Sequence, residues 1–213
     1  MYILRDTPSA AGQYEAIQQT TQPLPPPGYL WWPDSLERDT FAQYDGFIVP
    51  EIVRKTVKSY APNTDGFEAH QKDLLAARKL ECIADSKSSL AAYLLAHPMQ
   101  WTDGKYYSIT AEKQQQLTSK IMSATMAQTM SVPYSLTWNS TGDECTAWAL
   151  TDLSALAFAI DARVTSLVSY QQEKEVEIRN AASMEALEAI TVDYDSVPLP
   201  DAATTTAGDG EKV

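Results

Sequence analysis

Basic residues, cysteine, histidine and long apolar runs are all scarce in this chain. Sixteen Lys and Arg stand against 28 Asp and Glu, a formal net charge of −12 over 213 residues. A surface that tracks phosphates needs clustered Lys and Arg, so this balance argues against nucleic-acid binding. Repulsion from anionic headgroups argues likewise against a membrane surface. No window of about eighteen apolar residues is found, so no segment is expected to span a bilayer. The start, Met1-Tyr-Ile-Leu-Arg-Asp6, lacks the basic region and long apolar run of a signal peptide. Cys82 and Cys145 lie far apart with no CxxC spacing, the pattern of reduced thiols in a cytoplasmically made protein.

Candidate chemistry is equally thin. The two histidines, His70 and His97, have no Cys or second His at ligand spacing, so no zinc site is expected. His97 precedes Pro98 at the end of a helical stretch, where an imidazole suits the helix dipole. Cys145 and His97 would be the one thiol–imidazole pair, and nothing local supports it. The eight glycines form neither GxGxxG nor GxxxxGKS/T, so no phosphate cradle is present. Turn chemistry accounts for Asp103 and Asp143. No catalytic residue, metal ligand or cofactor is therefore assigned.

What the chain does contain is a 44% apolar share, enough for a globular core. Residues 1–38 include Thr20-Thr-Gln-Pro-Leu-Pro-Pro-Pro27, which should run extended because proline fixes φ and removes donors. Gly28-Tyr-Leu-Trp-Trp-Pro33 follows, and its rings need a surface to pack on, either this chain's own or a neighbour's. Residues 39–63 read as a β-hairpin turning at Pro50 and Glu51. Ala61-Pro-Asn-Thr-Asp-Gly66 is the expected domain boundary. Phe67 to His97 then reads as a helix with Leu80, Ile83, Leu90 and Leu94 as its apolar stripe.

Asp103-Gly104 marks a tight hairpin turn between two aromatic segments. Thr110 is the expected N-cap of a Gln-rich helix. Leu117, Ile121 and Ala124 edge its apolar face. Met122, Met126 and Met130 extend it at i, i+4, i+8, by default as core and, if exposed, as a surface for a partner's apolar segment. Tyr134–Trp138 and Glu144–Leu150 read as short paired strands. From Thr151-Asp152 to about Ala182 runs the longest helix. Its seam of Leu153, Ala157, Ile160, Val164 and Leu167 continues through Gln171, Lys174 and Ile178. The polar second half of that helix is expected to project. Ser183 should cap a short helix, Thr191–Tyr194 form an edge strand, and residues 195–213 form a mobile acidic tail.

The expected architecture is thus α+β: an extended arm (1–38), a small β-hairpin (39–63), a mainly helical domain with a long helix and a small antiparallel sheet (64–194), and the tail (195–213). The candidate partner-contact residues are Tyr29, Trp31, Trp32, Met122, Met126, Met130, Tyr170 and Ile178, since interfaces favour aromatic and exposed apolar anchors.

Trp101-Thr-Asp-Gly-Lys-Tyr-Tyr-Ser-Ile-Thr110 with its Gln-rich helix, Leu136-Thr-Trp138, Leu150-Thr-Asp-Leu-Ser-Ala-Leu156 and Ile178-Arg-Asn-Ala-Ala-Ser-Met-Glu-Ala-Leu-Glu-Ala-Ile190 carry a resemblance. From about Cys82 to Asp193 the chain resembles a domain associated with bacteriophage tail fibres, recurrent at the C-terminus of tail-fibre and fibre-assembly proteins. Tyr44-Asp-Gly-Phe-Ile-Val49 and Val57-Lys-Ser-Tyr-Ala-Pro-Asn63 resemble a small β-segment of short phage tail proteins. The resemblance implies a non-enzymatic tail protein made in the host cytoplasm and located in the virion. It would be oligomeric within an assembly and partnered by tail-fibre or baseplate subunits, with no nucleic acid or membrane. Two alternatives stand beside it: a fibre-assembly chaperone that is not retained, and a receptor- or carbohydrate-binding tip using Trp31, Trp32, Trp101 and Tyr106.

Overall fold

The computed structural model describes residues 1–200. It is α+β, and its chain clusters into two compact units that divide between Arg78 and Lys79, not at the turn cluster 61–66.

In the first unit, β1 (Tyr2–Arg5), β2 (Gln18–Gln19) and β3 (Tyr29–Trp32) precede a short helix α1 (Asp39–Gln43) and the hairpin β4 (Ile48–Val53) and β5 (Thr56–Pro62). They form one five-stranded sheet in the order β2-β1-β3-β5-β4. Residues 1–38 are therefore not a separate arm, because three of the five strands come from them. The reason lies in Tyr29-Leu-Trp-Trp32, which alternates half-buried and buried residues at the strand period of two. Trp32 is 1% exposed, stands edge-on to Phe41 at 5.6 Å, and donates its indole N–H to the Leu36 carbonyl at 3.1 Å. The proline run ends in a turn in which Tyr29 N–H donates to the Pro26 carbonyl and Gly28 takes φ +84°.

The hairpin turns at Arg54-Lys55, not at Pro50-Glu51. Both turn residues have positive φ, 49° and 63°, between the paired Val53 and Thr56, the pattern of a type I′ connection. Pro50 lies inside β4, which it can do because β4 is an outer strand of the sheet. Residues 39–43 are helical instead of extended. The Glu37 carboxylate accepts from the backbone N–H groups of Asp39 and Thr40, at 2.8 and 3.1 Å, satisfying two free donors of that first turn.

Helix α2 (Thr64–Ala96) starts three residues earlier than expected, where the Asn63 carboxamide oxygen accepts from Gly66 N–H. The second unit takes up α2 from Lys79. It continues through β6 (Met99–Gln100), β7 (Tyr106–Tyr107), α3 (Ala111–Thr129), β8 (Thr137–Trp138), β9 (Thr146–Ala147), α4 (Leu150–Asn180) and α5 (Met184–Glu188). The strands form two separate two-stranded antiparallel ladders. The Asp103-Gly104 turn is present, with Gly104 at φ +79° and its N–H bonded to the Trp101 carbonyl. Thr110 and Ser183 cap α3 and α5 through their hydroxyls.

The core gathers Leu94, Tyr107, Ile109, Leu117, Leu136, Trp138, Leu153, Leu156, Ile160 and Leu167. Leu80 falls outside it and is exposed, because the buried line of α2 runs through Ser86 and Leu94 instead. The seam of α4 carries Glu175, not Lys174, and its second half does not project: Gln171, Glu175 and Ile178 are all buried. By length and composition α4 is apolar enough to cross a membrane, contrary to the sequence expectation. Arg163, Gln171 and Glu175 nevertheless lie on its buried side, beside the leucines of the core. Thr191–Tyr194 is not a strand. Tyr194–Ser196 is a single 3₁₀ turn with Tyr194 and Val197 buried, so the tail is anchored at least to there. The remainder of the expected mobile tail, 201–213, lies outside the described residues.

Candidate interaction surfaces

The eight expected contact residues separate into three groups. Trp32 and Ile178, at 1% and 2% exposure, are core residues, which removes them as partner anchors. Tyr29, Trp31 and Tyr170 are half-buried. Tyr170 stands edge-on to Tyr194 at 5.7 Å, and its hydroxyl accepts from Asp193 N–H, so its ring is largely committed within the chain. Burial of Trp32 also removes one of the four rings that the carbohydrate-binding alternative requires.

Met122, Met126 and Met130 behave differently. They are 59%, 59% and 67% exposed, Met122 and Met126 one above the other on α3 and Met130 at its C-cap. The opposite edge of the helix buries Leu117 and Ala124 against the core. Helical spacing puts i, i+4 and i+8 on one strip, so the three thioethers form an apolar row about 12 Å long. The row continues past the helix end into Val132 and Tyr134, both exposed. Those two residues also edge an open groove of about 480 Å³ floored by Ala124, Leu136, Trp148 and Leu150. The default assignment of these methionines to the core therefore fails, because all three are exposed. The sequence could not decide between them, because a Met row at helical spacing is the same pattern in either case. Phe158 on α4, exposed at 75%, is a further apolar surface residue that sequence reasoning missed.

Two polar constellations in the second unit hold structure together. In the first, the Tyr107 hydroxyl donates to Asp103 at 2.7 Å, and the Lys105 ammonium donates to Asp143 at 2.8 Å. The Ser140 hydroxyl also donates to Asp143, while Thr141 N–H donates to the Tyr106 carbonyl. These bonds tie the β6–β7 hairpin to the loop between β8 and β9. The Lys105 and Ser140 contacts hold the Asp143 carboxyl below the usual range. Burial pushes the Tyr107 hydroxyl up, and its bond to the Asp103 anion adds to that.

The second constellation joins α2, α4 and the C-terminal segment. Gln171 donates to the Ser86 hydroxyl at 3.0 Å and to Glu175 at 3.2 Å, and Glu175 also pairs with Lys87 and Arg179. The Tyr194 hydroxyl donates to the Ser86 carbonyl at 2.8 Å. Arg163 is 8% exposed and donates to the carbonyls of Val197 and Pro198, at 2.9 and 3.0 Å, and more loosely to the Tyr93 hydroxyl.

His97 stacks on Tyr93 at 4.0 Å, His70 packs beside Phe47, and the Cys145 thiol contacts Asn139. None of these three residues is brought to another as a catalytic pair. Both cysteines are free, and among the described residues no group of three or more His, Cys, Asp or Glu is placed to hold a metal ion.

No protein-family model, curated protein or solved structure matches this chain.

Proposed function

We propose that this chain is a bacteriophage tail component that docks onto tail-fibre or baseplate subunits and stays in the virion. Its work is mechanical, not catalytic. The observation that carries the docking role is the exposed Met122–Met126–Met130 row, continued by Val132 and Tyr134. Flexible, polarisable thioethers suit a surface that must mould to another protein's apolar segment. An exposed apolar strip along a helix fits recognition through a helix or loop laid across it. The tail assignment is supported by the resemblance of residues 82–193 to the tail-fibre-associated domain.

The test is the mass of the protein alone and mixed with the purified fibre or baseplate subunits of the phage that encodes it. A stable complex is expected with the wild type, together with its loss in the triple variant Met122→Lys, Met126→Lys, Met130→Lys. No complex, or an equally tight one with the triple variant, overturns the reading.

A further inference from the structure

A second opening shares Ala147 and Trp148 with the α3 groove. It is a cleft of about 470 Å³ whose wall includes Trp101 and Trp148 and whose rim carries Asp103, Lys105, Glu144 and Asp152. We propose that this cleft receives a lysine or arginine side chain presented by another protein. The proposal requires neither the phage context nor the methionine row, although Ala147 and Trp148 border both openings.

Charge decides the occupant. Among the described residues Lys105 is the one cation on the rim, and Asp143 already neutralises it at 2.8 Å. Asp103 is occupied by the Tyr107 hydroxyl and the Lys105 backbone N–H. Glu144 has no hydrogen bond or ion pair among the described residues, and Asp152 accepts only from the neighbouring Thr151 hydroxyl at 3.3 Å. Two carboxylates without a cation therefore stand at the mouth of a cleft walled by two half-buried indoles.

Indole faces attract cations, and carboxylates complete their hydrogen bonding. Elsewhere in the chain a lysine does approach an indole, Lys113 over Trp138 at 5.6 Å, but among the described residues no cation is so placed over Trp101 or Trp148. The aliphatic stem of a Lys or Arg would lie along Ala147, Ala149 and Ala155. A neutral sugar could stack on the rings and donate hydroxyls to the carboxylates, but it would leave both negative charges uncompensated, which a Lys or Arg side chain neutralises.

The test follows the indole N–H resonances of the full-length protein as a short capped peptide bearing two arginines is added. The same peptide with citrulline in place of arginine is the neutral control. Saturable shifts are expected at Trp101 and Trp148, with none at Trp31, Trp32 or Trp138. Binding should weaken at least fivefold in Glu144→Gln/Asp152→Asn, and strongly on going from low to high salt, because exposed charges are screened. The Glu185→Gln/Glu188→Gln variant, which removes the same net charge from α5, should bind as the wild type. Equal weakening in both double variants would mean diffuse attraction to an acidic surface and would overturn the proposal. So would an equal response to the citrulline peptide, or a response to a neutral oligosaccharide in place of the arginine peptide.

Discussion

Replacing Arg163 with Met separates the charge of this residue from its stem. Methionine keeps most of the aliphatic packing but removes the bonds to the Val197 and Pro198 carbonyls and the longer one to the Tyr93 hydroxyl. Hydrogen bonds from a charged donor contribute about 1.5–3 kcal/mol each. The 3.4 Å contact to Tyr93 counts for little, so the gross loss is that of two such bonds. Two effects reduce it. A buried guanidinium costs desolvation, which methionine avoids, and the freed carbonyls sit beside an open groove lined by Ser166, Ser169 and Pro198, where water reaches them. The net loss is about 2–3 kcal/mol.

That loss should fall first on the segment it anchors. Amide exchange of Tyr194–Leu199 should accelerate by roughly thirty- to a hundred-and-fortyfold, with carboxypeptidase trimming advancing past Val197. Arg163→Lys should recover only part of the protection, because one ammonium cannot span two carbonyls as the planar fork does. Unchanged exchange at Tyr194–Leu199 in Arg163→Met would refute the argument that Arg163 clamps the segment.

Three further outcomes follow from single sites. In Gly46→Ala the new Cβ would lie 2.2 Å from the Tyr14 carbonyl oxygen at a φ of +76°. A loss of several kcal/mol, at least about 2, is expected in urea denaturation of the first unit. Arg54→Asn with Lys55→Gly places preferred residues at two positive-φ positions. This double variant should raise stability by about 0.5–1 kcal/mol, seen as a higher urea midpoint with unchanged slope. Glu175 is held below the usual carboxylate range by the Gln171 amide and then by Lys87 and Arg179. A depressed folded-state value means that its stabilisation is present above the ordinary glutamate range and disappears as pH falls through the folded value. The stability gap between wild type and Glu175→Gln should thus be full near neutrality and close under acid, and a gap that widens with acid would contradict this.

Much of the second unit was legible in the sequence because its signals are local. A Ser or Thr before a helix, Asp-Gly between aromatic segments and leucines at helical spacing each act within a few residues. Thr110, Ser183 and the Asp103-Gly104 turn illustrate this. The first unit was less legible because its sheet is non-local. Nothing near Tyr29–Trp32 reveals that β1 lies on one side and β5 on the other, and an isolated proline-aromatic run reads as an arm. The hairpin turn was missed because Arg and Lys are unusual at positive φ, so Pro50 drew the turn to itself. The second half of α4 was expected to project because the partners that bury Gln171 and Glu175, Ser86 and Lys87, are supplied by α2. Exposure of the methionine row depended on which face of α3 met α4 and the small ladders, a tertiary outcome that periodicity alone does not fix.

The proposed docking role in a phage tail is tested most directly by quantitative mass spectrometry of gradient-purified mature particles of a phage whose genome carries this sequence. The account predicts that the protein is present in a fixed ratio to the tail-fibre or baseplate subunits. It also predicts that the Met122→Lys, Met126→Lys, Met130→Lys variant, folded as judged by an unchanged melting curve, is missing from those particles. Absence of the wild-type protein from mature particles, or undiminished incorporation of the triple variant, would contradict it.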